Sequence, residues 1–120
     1  YVKVRAEDLV ISEYRDINGE DEGIANVKIA PGEAFILGEN ADKRYKAKLE
    51  NLSGLDVELV VLKKANNVKS YGFGLAGNCK TSIEVGRDEK VILTNRNKQE
   101  VTIRIILNRG VEGMRYEEID

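Results

Sequence analysis

From residue 25 onward, apolar and polar positions take turns along the chain. In "EVTIRIILN" (100–108), Val101, Ile103, Ile105 and Leu107 share one parity, and Thr102 and Arg104 fall on the other. A period of two puts one set of side chains on each face of a pleated strand, so this alternation predicts half-buried β-structure. The same reading predicts strands near 25–30, 33–37, 43–50, 55–64, 67–75, 79–85, 89–94, 100–108 and 111–117. Turn chemistry separates them: "PGE" at 31–33, "LSG" at 52–54, "ANN" at 65–67, "AGN" at 76–78, "GRDE" at 86–89 and "NRNKQ" at 95–99. Strands repeating at roughly ten-residue spacing, without alternating helices, describe an all-β antiparallel β-sandwich of about 8–10 strands, immunoglobulin-like or jelly-roll-like, with little or no helix.

The N-terminal region reads less uniformly. "VKVR" is strand-like, whereas Ala6, Leu9, Val10, Glu13, Tyr14 and Ile17 also fall at helical spacing; the β-branched residues of "LVISEY" favour a strand. Residues 1–14 are therefore expected to supply an exchangeable N-terminal strand, and the polar, acidic "RDINGEDEG" that follows is expected to be a loop over 15–24. An internal echo supports the sandwich. Leu49, Asn51, Val57, Leu59 and Val61 match Leu93, Asn95, Val101, Ile103 and Ile105 in order and spacing. Each copy is a strand end, an asparagine-bearing connection and a second alternating strand, which resembles the repeating unit of immunoglobulin-like and related sandwich domains. The Cys…Trp…Cys hallmark of true immunoglobulin domains is missing.

Composition narrows the chemistry. A chain of 120 residues can bury about two-thirds of its unfolded surface, so it is read as one domain spanning 1–120 that needs no staples. It has one cysteine, no histidine and no tryptophan. Without imidazole, Ser–His–Asp triads, Cys–His dyads and histidine-built zinc sites are excluded; carboxylate, lysine and tyrosine chemistry is not. Residues 1–42 carry four basic and ten acidic side chains, and residues 43–120 carry fifteen and eleven. The net charge of −2 argues against nucleic acid as a partner, because phosphate neutralisation needs clustered cations. "KRYKAK" at 43–48 alternates across two faces of a strand and reads as a solvated stripe. No apolar run approaches the ~20 residues of a membrane span. The chain opens on "YVKVRAED" without methionine, from which we expect a secreted or cell-envelope location.

Two motifs invite specific chemistry. "SYGFGLAGNCKTSIEV" (70–85) holds Gly72, Gly74 and Gly77 at the G-x-G-x-x-G spacing of a dinucleotide loop. That loop requires a helix after the last glycine and an acidic residue about twenty positions on. Here the residues alternate after Gly77 and "VILTN" occupies the acidic position, so the segment predicts a β-hairpin turning at "AGN". Tyr71, Phe73 and Leu75 then point to the core, with Gly72 and Gly74 on the opposite face as a docking surface for another chain. "DINGEDE" is rich in oxygen ligands. Its sixth and twelfth positions (Asp21 and Val27) refute an EF-hand and leave an irregular calcium site from Asp16, Asn18, Glu20, Asp21 and Glu22. "NLS" at 51–53 is a glycosylation sequon, Cys79 is expected to be a small buried hydrophobe, and the lack of tryptophan counts against an aromatic sugar-binding platform other than a tyrosine-based one.

The functional expectation from these features is a chain that is not an enzyme: a structural, interacting subunit working through protein–protein contacts. Self-assembly into a filament would proceed by strand addition through Val2, Val4, Val10 and Tyr14, with Gly72 and Gly74 as the docking face. The same N-terminal strand can instead pair within its own sandwich. The alternative is a ligand-binding accessory module of an exported system, taking calcium or carbohydrate.

Overall fold

The computed structural model describes residues 2–3, 13–17, 20–108 and 114–119. Eleven strands occur among them and no helix: β1 (Val2–Lys3), β2 (Glu13–Ile17), β3 (Glu20–Ile29), β4 (Glu33–Leu37), β5 (Tyr45–Asn51), β6 (Val57–Lys63), β7 (Lys69–Leu75), β8 (Lys80–Val85), β9 (Glu89–Asn95), β10 (Val101–Leu107) and β11 (Arg115–Glu118). One sheet has the order β1-β11-β4-β9-β6-β7 and the other β2-β3-β10-β5-β8. All pairings are antiparallel.

The pairings are nested. Ile29 lies opposite Val101, Leu37 opposite Val91, Tyr45 opposite Val85 and Val57 opposite Leu75, so the midpoint of every pair falls between residues 64 and 66. The chain from Gly23 to Leu107 is thus one long hairpin with its apex at the "KKANNV" turn, where Asn67 takes φ 58°. Rolling that hairpin so that consecutive strands fall in opposite sheets, except β6 and β7 which pair at its apex, gives a jelly roll, and of the two sandwich types expected this is the one adopted.

Alternation explains the burial. β5 reads buried at Tyr45, Ala47, Leu49 and Asn51 and open between them, and β10 is buried at Val101, Ile103, Ile105 and Leu107. β4 is buried at all five positions. Phe35 and Tyr116 meet edge to face with centroids 5.3 Å apart, and the Tyr116 hydroxyl donates to the Lys28 carbonyl (2.8 Å) in the facing sheet. Each large aliphatic in this core contributes about 1.5–3 kcal/mol by leaving water.

The roll has two ends. At one, the 29–33, 51–57, 75–80 and 95–101 connections cross between sheets; at the other lie the 37–45, 63–69 and 85–89 connections. The first end explains the internal echo. Asn51 donates from its amide to the Leu55 carbonyl (2.6 Å) and the Leu75 carbonyl (3.1 Å), while its oxygen accepts from Ser53 N (3.1 Å). Asn95 does the same at the matching positions, donating to the Gln99 carbonyl (2.8 Å) and the Ile29 carbonyl (2.9 Å) and accepting from Asn97 N (2.9 Å). Each asparagine therefore folds its own connection and fastens it to the end of another strand.

The N-terminal region corrects one expectation. Residues 15–17 and 20–24 are strand, not an acidic loop: β2 and β3 pair with Ile17 opposite Glu20. Only Asn18 and Gly19 separate those positions, and Asn-Gly is the dipeptide that two-residue hairpin turns favour. Asp16 lies on β2, an edge strand where charge discourages pairing with foreign strands, and Glu20, Asp21 and Glu22 lie on the part of β3 beyond its pairing with β10. β1 pairs with β11, so both N-terminal strands pair within the chain.

Candidate functional site

The glycine-rich segment is β7, a connection, and β8. It is not a hairpin: β7 pairs with β6 in one sheet and β8 with β5 in the other, because "AGN" carries the chain across the roll. A strand, not a helix, follows Gly77. A Cβ at Gly77 would lie 2.7 Å from the Gly54 carbonyl oxygen, so this glycine lets two connections touch. A Cβ at Gly72 would meet the Leu59 carbonyl oxygen at 3.0 Å, whereas Gly74 faces open space.

Tyr71, Phe73 and Leu75 lie opposite Val61, Leu59 and Val57, three core residues, and so share their inward face. Leu75 is buried as expected, yet Tyr71 is 38% and Phe73 39% exposed. Position in the sheet is the cause. β7 and β8 are the edges of their sheets, and the sandwich is open between them, so inward-facing aromatics on β7 stand at a rim.

Polar groups gather beside Tyr71 at the second end of the roll. The Glu89 carboxylate accepts from the Ser70 hydroxyl (2.6 Å) and from Gly86 N (3.0 Å), with the Lys63 ammonium 3.8 Å away. The Ser70 hydrogen bond, opposed in part by burial, holds the Glu89 carboxyl below its ordinary range. The Tyr71 hydroxyl reaches the Glu84 carbonyl (3.4 Å) and is pushed up by burial and then by Glu89 and Glu84. Tyr45, 1% exposed, is pushed up more strongly, first by burial and then by Glu89 and Tyr71. Its hydroxyl has no hydrogen-bond partner among the described residues. Gly38, at φ +80°, crosses directly over it: a Cβ there would collide with the hydroxyl and lie 3.0 Å from Cζ.

Lys64 fastens the three connections at this end. Its ammonium donates to the carbonyls of Ala41 and Arg87, the latter at 2.8 Å, and its backbone N–H donates to the Asp88 carbonyl (2.8 Å). Arg115 holds the neighbouring Glu39 through Nε (2.8 Å). Sequence reading missed Glu89, Ser70, Tyr45 and Lys64 because they are far apart in the chain and form no motif.

The remaining predicted residues are dispersed. In the calcium set, Asp16 lies opposite Asp21, Glu20 opposite Ile17 and Glu22 opposite Arg15, while Asn18 lies outside the described residues. In the interaction set, Val2 pairs with Glu117 and Tyr14 with Gly23, and Val4 and Val10 lie outside the described residues. Cys79 is exposed rather than buried, since it follows Asn78 (φ 60°) in the connection between sheets instead of sitting on an inward strand position. No described helix is long and apolar enough to cross a membrane.

No protein-family model and no curated protein matches the sequence. Solved structures do match in fold. Oxalate oxidase superposes with a TM-score of 0.56 at 15% identity over 78% of this chain and 45% of its own. Bacillus subtilis oxalate decarboxylase, studied for its Mn(II) centres, gives 0.52 at 12% identity over 89% and 30%. Procruciferin, an 11S globulin from Brassica napus, gives 0.52 at 8% identity over 81% and 22%. The fold is the cupin-type jelly roll, and the chain spans less than half the length of each of these proteins.

This likeness corrects the expectation that the chain is not an enzyme. The same architecture carries oxalate oxidase and oxalate decarboxylase, so a non-enzymatic, self-assembling structural subunit does not follow from a β-sandwich lacking familiar catalytic motifs. The residues of this chain do not fit a manganese centre of that kind. There is no histidine in the sequence, and among the described residues no three of Asp, Glu, His or Cys converge. The inward positions are instead filled by residues such as Leu37, Val61, Val85 and Val91.

Proposed function

We propose that this chain is a ligand-binding jelly-roll module whose ligand is a carbohydrate held at the β7 rim. The observation that supports this reading is the pair Tyr71 and Phe73, more than a third exposed on a face that is buried elsewhere. Two positions apart on one strand face, they are spaced about 6.4–6.8 Å along the strand. Sugar rings present apolar C–H faces that stack on aromatic rings, and hydroxyls that need donors and acceptors at the margin. Glu89, Ser70 and the Glu84 carbonyl lie beside Tyr71 to meet them. An apolar aromatic surface with a few fixed polar groups is the usual composition of a small-ligand site.

Calorimetric titration with neutral oligosaccharides tests the reading. Tyr71→Ala and Phe73→Ala are each expected to weaken binding by about 1–1.5 kcal/mol, close to tenfold, and to lower the unfolding midpoint less than truncation of a fully buried ring would, since each is more than a third exposed. Full affinity in the double variant would remove the rim from consideration.

A further inference from the structure

We infer that the Tyr45 hydroxyl is the buried anchor of this site, taking a hydrogen bond from or giving one to a ring hydroxyl of a neutral sugar once residues 39–44 lift away from it. The inference rests on the carbohydrate reading and adds a specific atom and a ligand class to it.

Phenylalanine would fill the inward position at the start of β5 equally well, and without the penalty of a buried hydroxyl that bonds to nothing. None of the described neighbours bonds to it. Glu89 accepts from Ser70 and Gly86 N, and the Tyr71 hydroxyl is directed at the Glu84 carbonyl. Gly38 sits so close that not even a methyl group fits between. What lies directly over the hydroxyl is Gly38, a left-handed glycine from which the connection continues through four residues with exposed or half-exposed side chains, Asn40, Ala41, Asp42 and Lys43. Side-chain contacts tie that connection down, Arg115 on Glu39, the Lys64 ammonium on the Ala41 carbonyl and Arg44 on Glu84 (2.9 Å), and these can break without unpairing a strand. Within it, Ala41 N donates to the Gly38 carbonyl (3.1 Å) and Ala41 packs against the core.

Charge selects the ligand class. Two carboxylates, Glu89 and Glu84, flank the opening; Lys63 is matched with Asp88 (3.3 Å) and Arg44 with Glu84 (2.9 Å), and the Lys64 ammonium is bonded to two backbone carbonyls. A carboxylate-bearing sugar would face both carboxylates, whereas a neutral sugar offers hydroxyls that either donate to a carboxylate or meet Tyr45.

The test compares the intact chain with Tyr45→Phe in two measurements. Thermal unfolding without ligand is expected to show an equal or higher midpoint for Tyr45→Phe. Calorimetry with cello-, xylo-, manno- and malto-oligosaccharides, and with an oligogalacturonide as the acidic member, is expected to show binding of a neutral sugar that weakens roughly fivefold to tenfold in Tyr45→Phe. A neutral sugar bound equally by both proteins would overturn the anchor and leave the rim reading standing. A lowered midpoint in Tyr45→Phe would show that the hydroxyl is satisfied in the free protein and overturn the anchor as well. Tighter binding of the oligogalacturonide would overturn the neutral class, and failure of every sugar on the intact chain would overturn both proposals.

Discussion

The two ends of the roll treat buried polar groups in opposite ways. At the end where the 51–57 and 95–101 connections cross, Asn51 and Asn95 are 1% and 0% exposed, and each has its amide and its oxygen engaged in the same three-way pattern. At the other end Tyr45 is just as buried and its hydroxyl is unmet, with half-exposed aromatics and a carboxylate close by. Satisfied polar groups fix a corner, and an unsatisfied one marks a place where stability has been left incomplete. The contrast places the fixed corners at the first end, and the second end is the one to which we propose recognition belongs.

Breaking the first end is expected to have the largest effect. Asn95→Ala strands the Ile29 and Gln99 carbonyls and the Asn97 N–H, and Asn51→Ala does the same to its own set. Each is expected to lower stability by about 3–4 kcal/mol in urea unfolding, with the two changes falling short of additivity because Asn97, held by Asn95, donates to the Asp56 carbonyl (2.7 Å) of the other connection. A loss below 1 kcal/mol in either would dissolve the distinction between the ends. Lys64→Met acts on the second end and is expected to cost only about 1 kcal/mol, because the freed carbonyls lie near water. Its signature is local: faster hydrogen exchange around residues 39–44 and 86–88, with the core strands unchanged. The smallest effect concerns pH. Glu89 titrates below the ordinary carboxylate value of 4.5 in the folded chain, so its share of stability is full above that value and is lost as pH falls through the folded-state pKa. Ser70→Ala removes the largest cause of that depression and is expected to flatten the acid limb of the stability curve by less than about 1 kcal/mol.

Much of this architecture is legible in the chain. Strict alternation in β5 and β10 located both central strands, and the match between residues 49–61 and 93–105 pointed at equivalent corners before any contact was known. The nesting of pairs about residue 65 was not legible, because alternation sets which face a residue takes and says nothing of which strand lies beside it. The β2–β3 hairpin was hidden by its own charge: a run of acidic residues reads as loop, although Asn18-Gly19 carried the opposite signal. Tyr71 and Phe73 read correctly as inward and incorrectly as buried, since only sheet order reveals that β7 is an edge. The recognition end was illegible for a related reason. Tyr45, Ser70 and Glu89 are separated by tens of residues, and only the rolled topology brings them together.

The most direct test of a recognition end follows backbone amide shifts by NMR while the neutral oligosaccharide selected by calorimetry is added to the intact chain. The account predicts perturbations concentrated in residues 69–75, 84–89 and 38–45, with the Asn51 and Asn95 corners silent. Shifts centred on those asparagine corners, with β7 unmoved, would contradict it.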